Sequence, residues 1–285
     1  FVYGNPPWAK TFFVLVIVAS IITKVFWFEV SKWIATHFNA VVPRRIIDAA
    51  VIVSIVLVIF IPDVTGLLAK MFMTDHFYHF DSMITSPAWS YLKGGVLYKD
   101  QFTHYAVGLP VVFSHLSLMA GGFSYASLVS ILIWGTITYY IVGYFFIRRW
   151  LGSAAIAASA MLLLIKWQMF HPGVAPVIFN YPSATVFRFP LDIVLFFLIL
   201  GHINHQKNWY LWAASFICGC SAFYMMDTGA YMLAAYAFYL LWVYFFQGLN
   251  RLNAVMFVLQ LLLVGTTTAM LLLMTQGLHL FSSVF

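Results

Sequence analysis

Long apolar stretches separated by short polar connections run along almost the whole chain. About 20 apolar residues in a helix cross the hydrocarbon core of a bilayer, and eight stretches come close to that length. The pattern contains no soluble domain and no internal repeat, so we predict an all-α polytopic membrane protein in which residues 1–285 form a single transmembrane domain. The eight predicted transmembrane helices are 11–28, 46–62, 123–147, 151–168, 190–206, 208–226, 228–247 and 252–275.

Composition agrees with this pattern. The chain is 64% hydrophobic and 8% charged, with a mean hydropathy of +0.95, whereas a soluble domain carries about 25% charged residues. The formal net charge of +6 comes mainly from Lys and Arg at predicted helix ends, which is typical of the cytoplasmic side of membrane proteins. No basic cluster exceeds two residues, so we expect membrane lipids and no nucleic acid as partners.

The apolar segment 107–121 is too short to assign by length. It contains Pro110 and is followed by Gly121 and Gly122, features that suit an interfacial or re-entrant helix. If this segment crossed the membrane, the two arginine pairs of the chain would lie on opposite sides. If it does not cross, both pairs face the cytoplasm, as the positive-inside rule prefers. We therefore interpret 63–122 as one long external loop of amphipathic or re-entrant helices.

This topology gathers the few acids of the chain on one face of the membrane. The chain has eight acids in 285 residues, and charged groups close to a bilayer are costly and usually functional or paired. Histidines His76 and His79 lie in the same loop. Six of the eight acids fall on the external face, namely Asp63, Asp75, Asp81, Asp100, Asp192 and Asp227.

One run in the loop resembles a known family. Asp81 is followed by Gly94 and Gly95, and then by a Tyr-basic-Asp stretch that ends at Asp100. This run resembles the first external loop of the GT-C class of membrane glycosyltransferases, the polyprenyl-phosphate-sugar-dependent enzymes of the dolichyl-phosphate-mannose-transferase-like superfamily. The Tyr-Gly of that family appears here as Tyr105 and Ala106, with the glycine only at Gly108, which is a departure.

The resemblance implies a transferase whose donor is a sugar on a polyprenyl phosphate. Such a reaction needs a base for the acceptor hydroxyl, a role that carboxylates fill. By resemblance the catalytic residues are Asp81 as the first choice of base, Asp75 as the second, and Asp100 to orient the acceptor or to hold a metal if one is used. By resemblance and charge, the donor phosphate is bound by Arg188, Lys166 and Lys99, with His76, His79 and Asp227 in support.

Each of these residues also has a structural interpretation. Asp75 and Asp81 suit caps of short interfacial helices, and Asp227 suits a helix N-cap. Arg188 can pair with Asp192 four residues later, and Lys166 can extend along apolar surface to the interface. The sequence identifies no certain cofactor and assigns no metal ligands, and the three-residue spacing of His76 and His79 leaves a divalent metal open.

A second hypothesis is a non-catalytic structural subunit of a larger membrane complex, either derived from the GT-C class or unrelated to it. The short chain and the departure at Tyr105 favour it, and it requires membrane-protein partners. A transporter would show broken helices in paired halves, which the pattern lacks. No Asn-x-Ser/Thr acceptor occurs in the chain, which favours a bacterial inner membrane with the 63–122 loop outside. Phe1 in place of Met leads us to expect further residues at the N-terminus.

Overall fold

The computed structural model describes residues 44–60, 81–169, 187, 190–246 and 251–277. Within these ranges the chain is helical and has no β-strand, with a single isolated bridge between Leu97 and Gln101. The prediction of an all-α protein is therefore confirmed. The helices are α1 Arg44–Phe60, α2 Ser86–Leu92, α3 Gly108–Met119, α4 Tyr125–Leu151, α5 Ala154–Met169, α6 Asp192–His205, α7 Trp209–Tyr224, α8 Met226–Leu241 and α9 Arg251–Gln276, with short π-helical segments at Asp81–Thr85 and Trp242–Phe246.

Three of these helices are long and apolar enough to cross a membrane. They are Tyr125–Leu151, Met226–Phe245 and Asn253–Gln276, and shorter apolar helices occupy Gly108–Met119, Ala154–Gln168 and Asp192–His205. Helices occur at seven of the eight predicted intervals, and the first interval, 11–28, lies outside the described residues. The transmembrane character of the chain is thereby supported by three helices, and the count of eight spans stays a prediction.

The helices pack as two apolar clusters. The first is formed by α1, α3, α4 and α5, and its largest fully buried side chains include Tyr140, Tyr144 and Phe113. The second is formed by α6, α7, α8 and α9 around Leu211, Tyr236 and neighbouring apolar groups. A third, smaller cluster bridges them, because Leu97, Val107 and Val111 pack against Phe223 of α7 and against Leu271 and Leu272 of α9.

Contacts between helices define the two ends of the bundle. We call the end at which the segment 81–122 meets the C-terminal ends of α7 and α9 the loop end. At the opposite end Arg148, in the last turn of α4, lies 3.0 Å from Asp48 in the first turns of α1. This end also carries Arg45 and Arg149, and we call it the arginine end. Both arginine pairs therefore lie at one end of the bundle.

Local sequence explains the sharp turn between α4 and α5. Gly152 adopts φ +70° and ends α4, with its N–H bonded to the carbonyl of Arg148 at 2.9 Å. A left-handed residue at this position terminates a helix and costs least when it is glycine. Since Ser153 follows and α5 begins at Ala154, the two helices form an antiparallel hairpin in two residues.

The outward faces of the long helices are apolar. Leu57, Trp134, Leu163, Phe238 and Met274 are each more than half exposed. A continuous apolar surface of this kind is unfavourable in water and marks contact with another apolar phase or partner. The described helices thus bury polar groups between them and present hydrocarbon outside, as expected for a protein in a bilayer.

Candidate functional site

The segment that carries the predicted acids is folded onto the bundle. Ile84 in the first π-helical segment and Ala88 in α2 are fully buried, and Ile84 belongs to the first apolar cluster. Farther along, Leu97 and Val107 are buried in the bridging cluster. Buried apolar anchors at both ends fix the backbone of this segment, because displacing them would expose their surface to water.

Asp100 holds the turn that follows α2. Its carboxylate oxygen Oδ2 accepts the N–H of Val96 at 2.7 Å, and its own N–H bonds to the carbonyl of Val96 at 2.8 Å. Asp side chains commonly close turns by bonding to nearby backbone groups. Just before this turn, at the C-terminal end of α2, the ammonium of Lys93 lies 4.7 Å from the centre of the Trp89 ring, a distance suited to a cation–π contact.

Two non-glycine residues of this loop adopt positive φ. Tyr98 has φ 68° and Ala106 has φ 92°, in a region that L-residues rarely adopt because Cβ crowds the backbone. Thr103 Oγ1 donates to the carbonyl of Ala106 at 3.1 Å. Partial burial raises the pKa of the Tyr98 phenol above its ordinary value, and a backbone hydrogen bond with Ala106 acts in the opposite direction. The phenol is therefore protonated at neutral pH.

A cleft of about 300 Å³ lies beside the start of this segment. Trp89 and Phe123 form its aromatic part, with ring centroids 5.3 Å apart. Ser124 supplies a hydroxyl and caps α4 by accepting the N–H of Ser127 at 3.2 Å. Aromatic rings with hydroxyl groups at their edge are suited to an amphipathic ligand with one apolar and one polar face. The cleft is lined by Thr85, Ser86, Trp89, Phe123, Ser124, Tyr125 and Leu128.

Asp81 begins the π-helical segment that ends at Thr85, and Thr85 lines this cleft. The backbone of Asp81 therefore lies about one helical turn before a residue of the cleft, and its side chain lies outside the described part of the chain. Four of the predicted site residues, Asp75, His76, His79 and Arg188, also lie outside the described residues.

The remaining predicted residues are described, and they lie apart. Lys99 is exposed in the Asp100 turn, and Lys166 is exposed in the last turn of α5. In the described ranges no ion pair joins Asp100, Lys99 or Lys166 to one another. Asp227 Oδ1 accepts the N–H of Thr228 at 2.7 Å. The interpretation of Asp227 as an N-cap is wrong, because Met225 holds that position and Asp227 lies in the first turn of α8.

The sequence did not predict the polar pairs that join neighbouring helices. Asp192 accepts the hydroxyl of Tyr139 at 3.2 Å, which gives this acid a partner on α4. His202 Nδ1 lies 2.8 Å from the hydroxyl of Tyr239. The only signal for such pairs was the presence of polar side chains within apolar segments, and such side chains face the interior and find partners.

A buried network joins three helices of the second cluster. The Tyr236 hydroxyl lies 3.0 Å from Ser215 Oγ and 2.7 Å from Gln260 Oε1, and Gln260 Nε2 donates to the Tyr244 hydroxyl at 2.8 Å. Tyr236 also lies 2.6 Å from the carbonyl oxygen of Leu211. Satisfied networks of this kind fix the register of packed helices.

Metal binding finds no support in the described ranges, which contain no group of three or more His, Cys, Asp or Glu side chains able to hold an ion. In the described residues around the cleft, a ligand could form hydrogen bonds with the cleft hydroxyls. The side chains of Lys93 and Lys99 on the neighbouring loop supply positive charge. Since His76 and His79 lie outside those ranges, the divalent metal left open by their spacing stays untested.

Comparison with known proteins adds no further constraint. No protein-family model, no curated protein and no solved structure matches this chain.

Proposed function

We propose that the chain is an integral-membrane glycosyltransferase of the GT-C type. It moves a sugar from a polyprenyl phosphate to a lipid or glycan acceptor, with Asp81 as base. One observation carries the proposal: the acid-bearing segment is anchored to the bundle and begins at an aromatic cleft. Asp81 is the first described residue of this segment, and Thr85, at the end of its π-helical turn, lines the cleft. Trp89 and Phe123 offer the stacking surface that a sugar ring or an isoprenoid chain requires.

The backbone at Ala106 supports the resemblance. The family has a glycine directly after the tyrosine, and this chain has Ala106 after Tyr105. Ala106 nevertheless adopts φ 92°, a conformation that favours glycine. A backbone position that favours glycine thus stands where the family pattern has glycine, which supports the resemblance.

The reaction needs few groups. The carboxylate of Asp81 takes the proton of the acceptor hydroxyl while the oxygen of that hydroxyl forms a bond to the anomeric carbon. The bond from that carbon to the phosphate oxygen breaks, and the electron pair leaves with the lipid phosphate. One base suffices for inversion, in contrast to the two carboxylates of glycosidases. Arg188, Lys166 and Lys99 would offset the phosphate charge, with Asp75 as second base and Asp100 fixing the turn.

The proposed orientation places the loop end outside, in a bacterial inner membrane. Support comes from the charges at the arginine end, where Arg45, Arg149 and the exposed Lys207 lie with Arg148. Such a bias sets the cytoplasmic side of a membrane protein. α3 supports a loop that does not cross the membrane, because 12 residues span about 18 Å of a core about 30 Å thick.

A second candidate is a non-catalytic subunit of a membrane complex. Asp100 favours it, because its carboxylate closes a local turn instead of approaching the cleft. In this case the loop is a folded interface element, and the protein co-purifies with partners in fixed ratio.

The test is transfer of radiolabelled sugar from polyprenyl-phosphate donors extracted from membranes. We expect Asp81→Asn to lower transfer by about 10²-fold or more, with Asp75→Asn showing the larger loss if that residue is the base. Asp192→Asn is the matched control, because an amide oxygen still accepts the Tyr139 hydroxyl. Absence of transfer by the wild type with every donor pool overturns the enzyme and leaves the subunit, which fixed-ratio co-purification then tests.

A further inference from the structure

A second cavity lies at the arginine end, remote from the loop and its cleft. Its volume is about 400 Å³, and it is lined by Phe145, Arg148, Arg149, Gly152, Ala154 and Phe197. The lining comes from the last two turns of α4, the turn into α5 and the middle of α6. Two guanidinium groups thus border one cavity whose remaining walls are aromatic rings and backbone.

The charge of this cavity is positive. Arg148 forms an ion pair with Asp48, and the second oxygen of Asp48 accepts the Tyr144 hydroxyl at 2.7 Å. The Arg149 guanidinium makes no hydrogen bond or ion pair to any residue in the described part of the chain. Since the carboxylate of Asp48 is paired with Arg148, the positive charge of Arg149 is not offset by a partner among the described residues. An arginine fork matches the oxygens of a phosphate group.

The backbone adds donors at the same place. α5 begins at Ala154, which lines the cavity. The N–H of Ile156 is already bonded to Ser153 Oγ at 3.4 Å, which leaves the first-turn N–H groups of Ala154 and Ala155. The first N–H groups of a helix have no partner within the helix and favour an anion. Their contribution is secondary to the two arginines.

The aromatic walls make the cavity amphipathic. Phe197 packs edge-on against Phe146 with centroids 5.1 Å apart, and Trp150 lies exposed 6.0 Å from the same ring. Trp near a helix end is typical of the membrane–water interface. A ligand seated here would place an anionic group at Arg149 and an apolar part against Phe145 and Phe197.

We propose that this cavity binds the phosphate group of a phosphomonoester or phosphodiester, with the headgroup of an anionic membrane phospholipid as one source and free phosphate as the other. Basic pockets between transmembrane helices bind such headgroups. The site is independent of the proposed glycosyltransferase, because it lies at the opposite end of the bundle and shares no residue with the cleft.

The experiment uses the full chain purified in detergent. Retention of phosphatidylglycerol against phosphatidylcholine is measured by native mass spectrometry, and protection from thermal unfolding by inorganic phosphate is measured at constant ionic strength. The variant is Arg149→Gln, since Arg149 is exposed and its replacement leaves the Asp48 pair intact. Lys207→Gln is the control, because Lys207 is an exposed cation at the same end that does not line the cavity.

We expect Arg149→Gln to weaken phosphatidylglycerol retention about fivefold and Lys207→Gln to leave it unchanged. Protection by inorganic phosphate that is lost in Arg149→Gln, without preference for phosphatidylglycerol, supports the site with a soluble phosphate as its ligand. Equal losses in both variants overturn the proposal, because only the overall charge would then matter. No loss in Arg149→Gln with either probe overturns it as well, because Arg149 would then not contribute to binding.

Discussion

A guanidinium nitrogen of Arg148 lies 3.0 Å from carboxylate oxygen Oδ2 of Asp48, and the hydroxyl of Tyr144 donates to the other oxygen at 2.7 Å. The pair is partly buried, with side-chain exposures of 29% for Arg148 and 16% for Asp48. It joins the first turns of α1 to the last turn of α4. Because both carboxylate oxygens are engaged, removing either charged partner leaves the other in a poorly solvated position.

A double-mutant cycle should show this coupling. We expect Asp48→Ala and Arg148→Ala to be coupled by about 1–3 kcal/mol in the free energy of unfolding, as for residues in one ion-pair network. The measurement is denaturant unfolding in detergent micelles. The matched cycle uses Asp48→Ala with Arg149→Ala, for which we expect less than about 0.5 kcal/mol. Equal coupling in the two cycles would show that the arginines act only through general charge.

The Tyr236 hydroxyl should stabilise the second cluster. Tyr236→Phe removes the single hydroxyl hydrogen that Gln260 Oε1 and the carbonyl of Leu211 compete for, and an unsatisfied buried group costs about 1–3 kcal/mol. We expect a loss of that size in the free energy of unfolding. Tyr231→Phe on the same helix is the control, because Tyr231 is 74% exposed and should change stability little. Equal effects of the two substitutions would argue against the network.

Close packing of α7 on α9 should depend on Gly219. A Cβ at this position would lie 2.6 Å from Thr267 Cβ and 2.8 Å from the carbonyl oxygen of Val264. We therefore expect Gly219→Ala to cost about 1–3 kcal/mol by overpacking, measured as a lower midpoint of thermal unfolding. Gly265→Ala provides the comparison, since a Cβ there meets nothing within 4 Å. A midpoint that drops no further in Gly219→Ala than in Gly265→Ala would refute the close approach.

Replacement of Ala106 by glycine should stabilise the protein. Ala106 has φ 92°, and relief of a left-handed alanine outweighs the added freedom of glycine in the unfolded chain by about 0.5–1 kcal/mol. Ala120→Gly is matched to it, because Ala120 has φ −84° and should gain nothing. The measurement is the unfolding midpoint of the two variants. A gain at Ala120 as large as that at Ala106 would remove the argument from backbone strain.

Helix positions could be predicted from sequence because they depend on local composition. The predicted interval 123–147 corresponds to α4, which continues to Leu151, where Gly152 stops it. The arginines were expected to end this helix, yet they form its last turn. A hydropathy pattern places the boundary at the first charged residue. The helix itself ends where a residue such as Gly152 can adopt positive φ.

Contacts between helices could not be predicted in the same way. Asp192 was considered as a partner of Arg188 four residues earlier, and its carboxylate bonds to Tyr139, 53 positions away. Asp48 was assigned no role, and it pairs with Arg148. Such pairs depend on how each helix is rotated about its own axis. The sequence does not determine this rotation, because each helix has several faces of similar hydrophobicity. Asp100 was predicted to orient the acceptor, and its bond to the N–H of Val96, which closes a turn, was not predicted.

Gly108 lies so close to α7 that a Cβ on it would fall 2.5 Å from the Phe223 carbonyl oxygen and from Tyr224 Cα. The backbone of the loop therefore rests directly on the C-terminal end of α7, one of the helices of the second cluster, while Ile84, at the start of the same segment, is buried in the first. Sliding of one cluster along the other would have to break one of these two attachments. The distance between the clusters and the shape of the cleft are thus linked through this loop. A ligand that fills the cleft would therefore restrict movement of one cluster relative to the other.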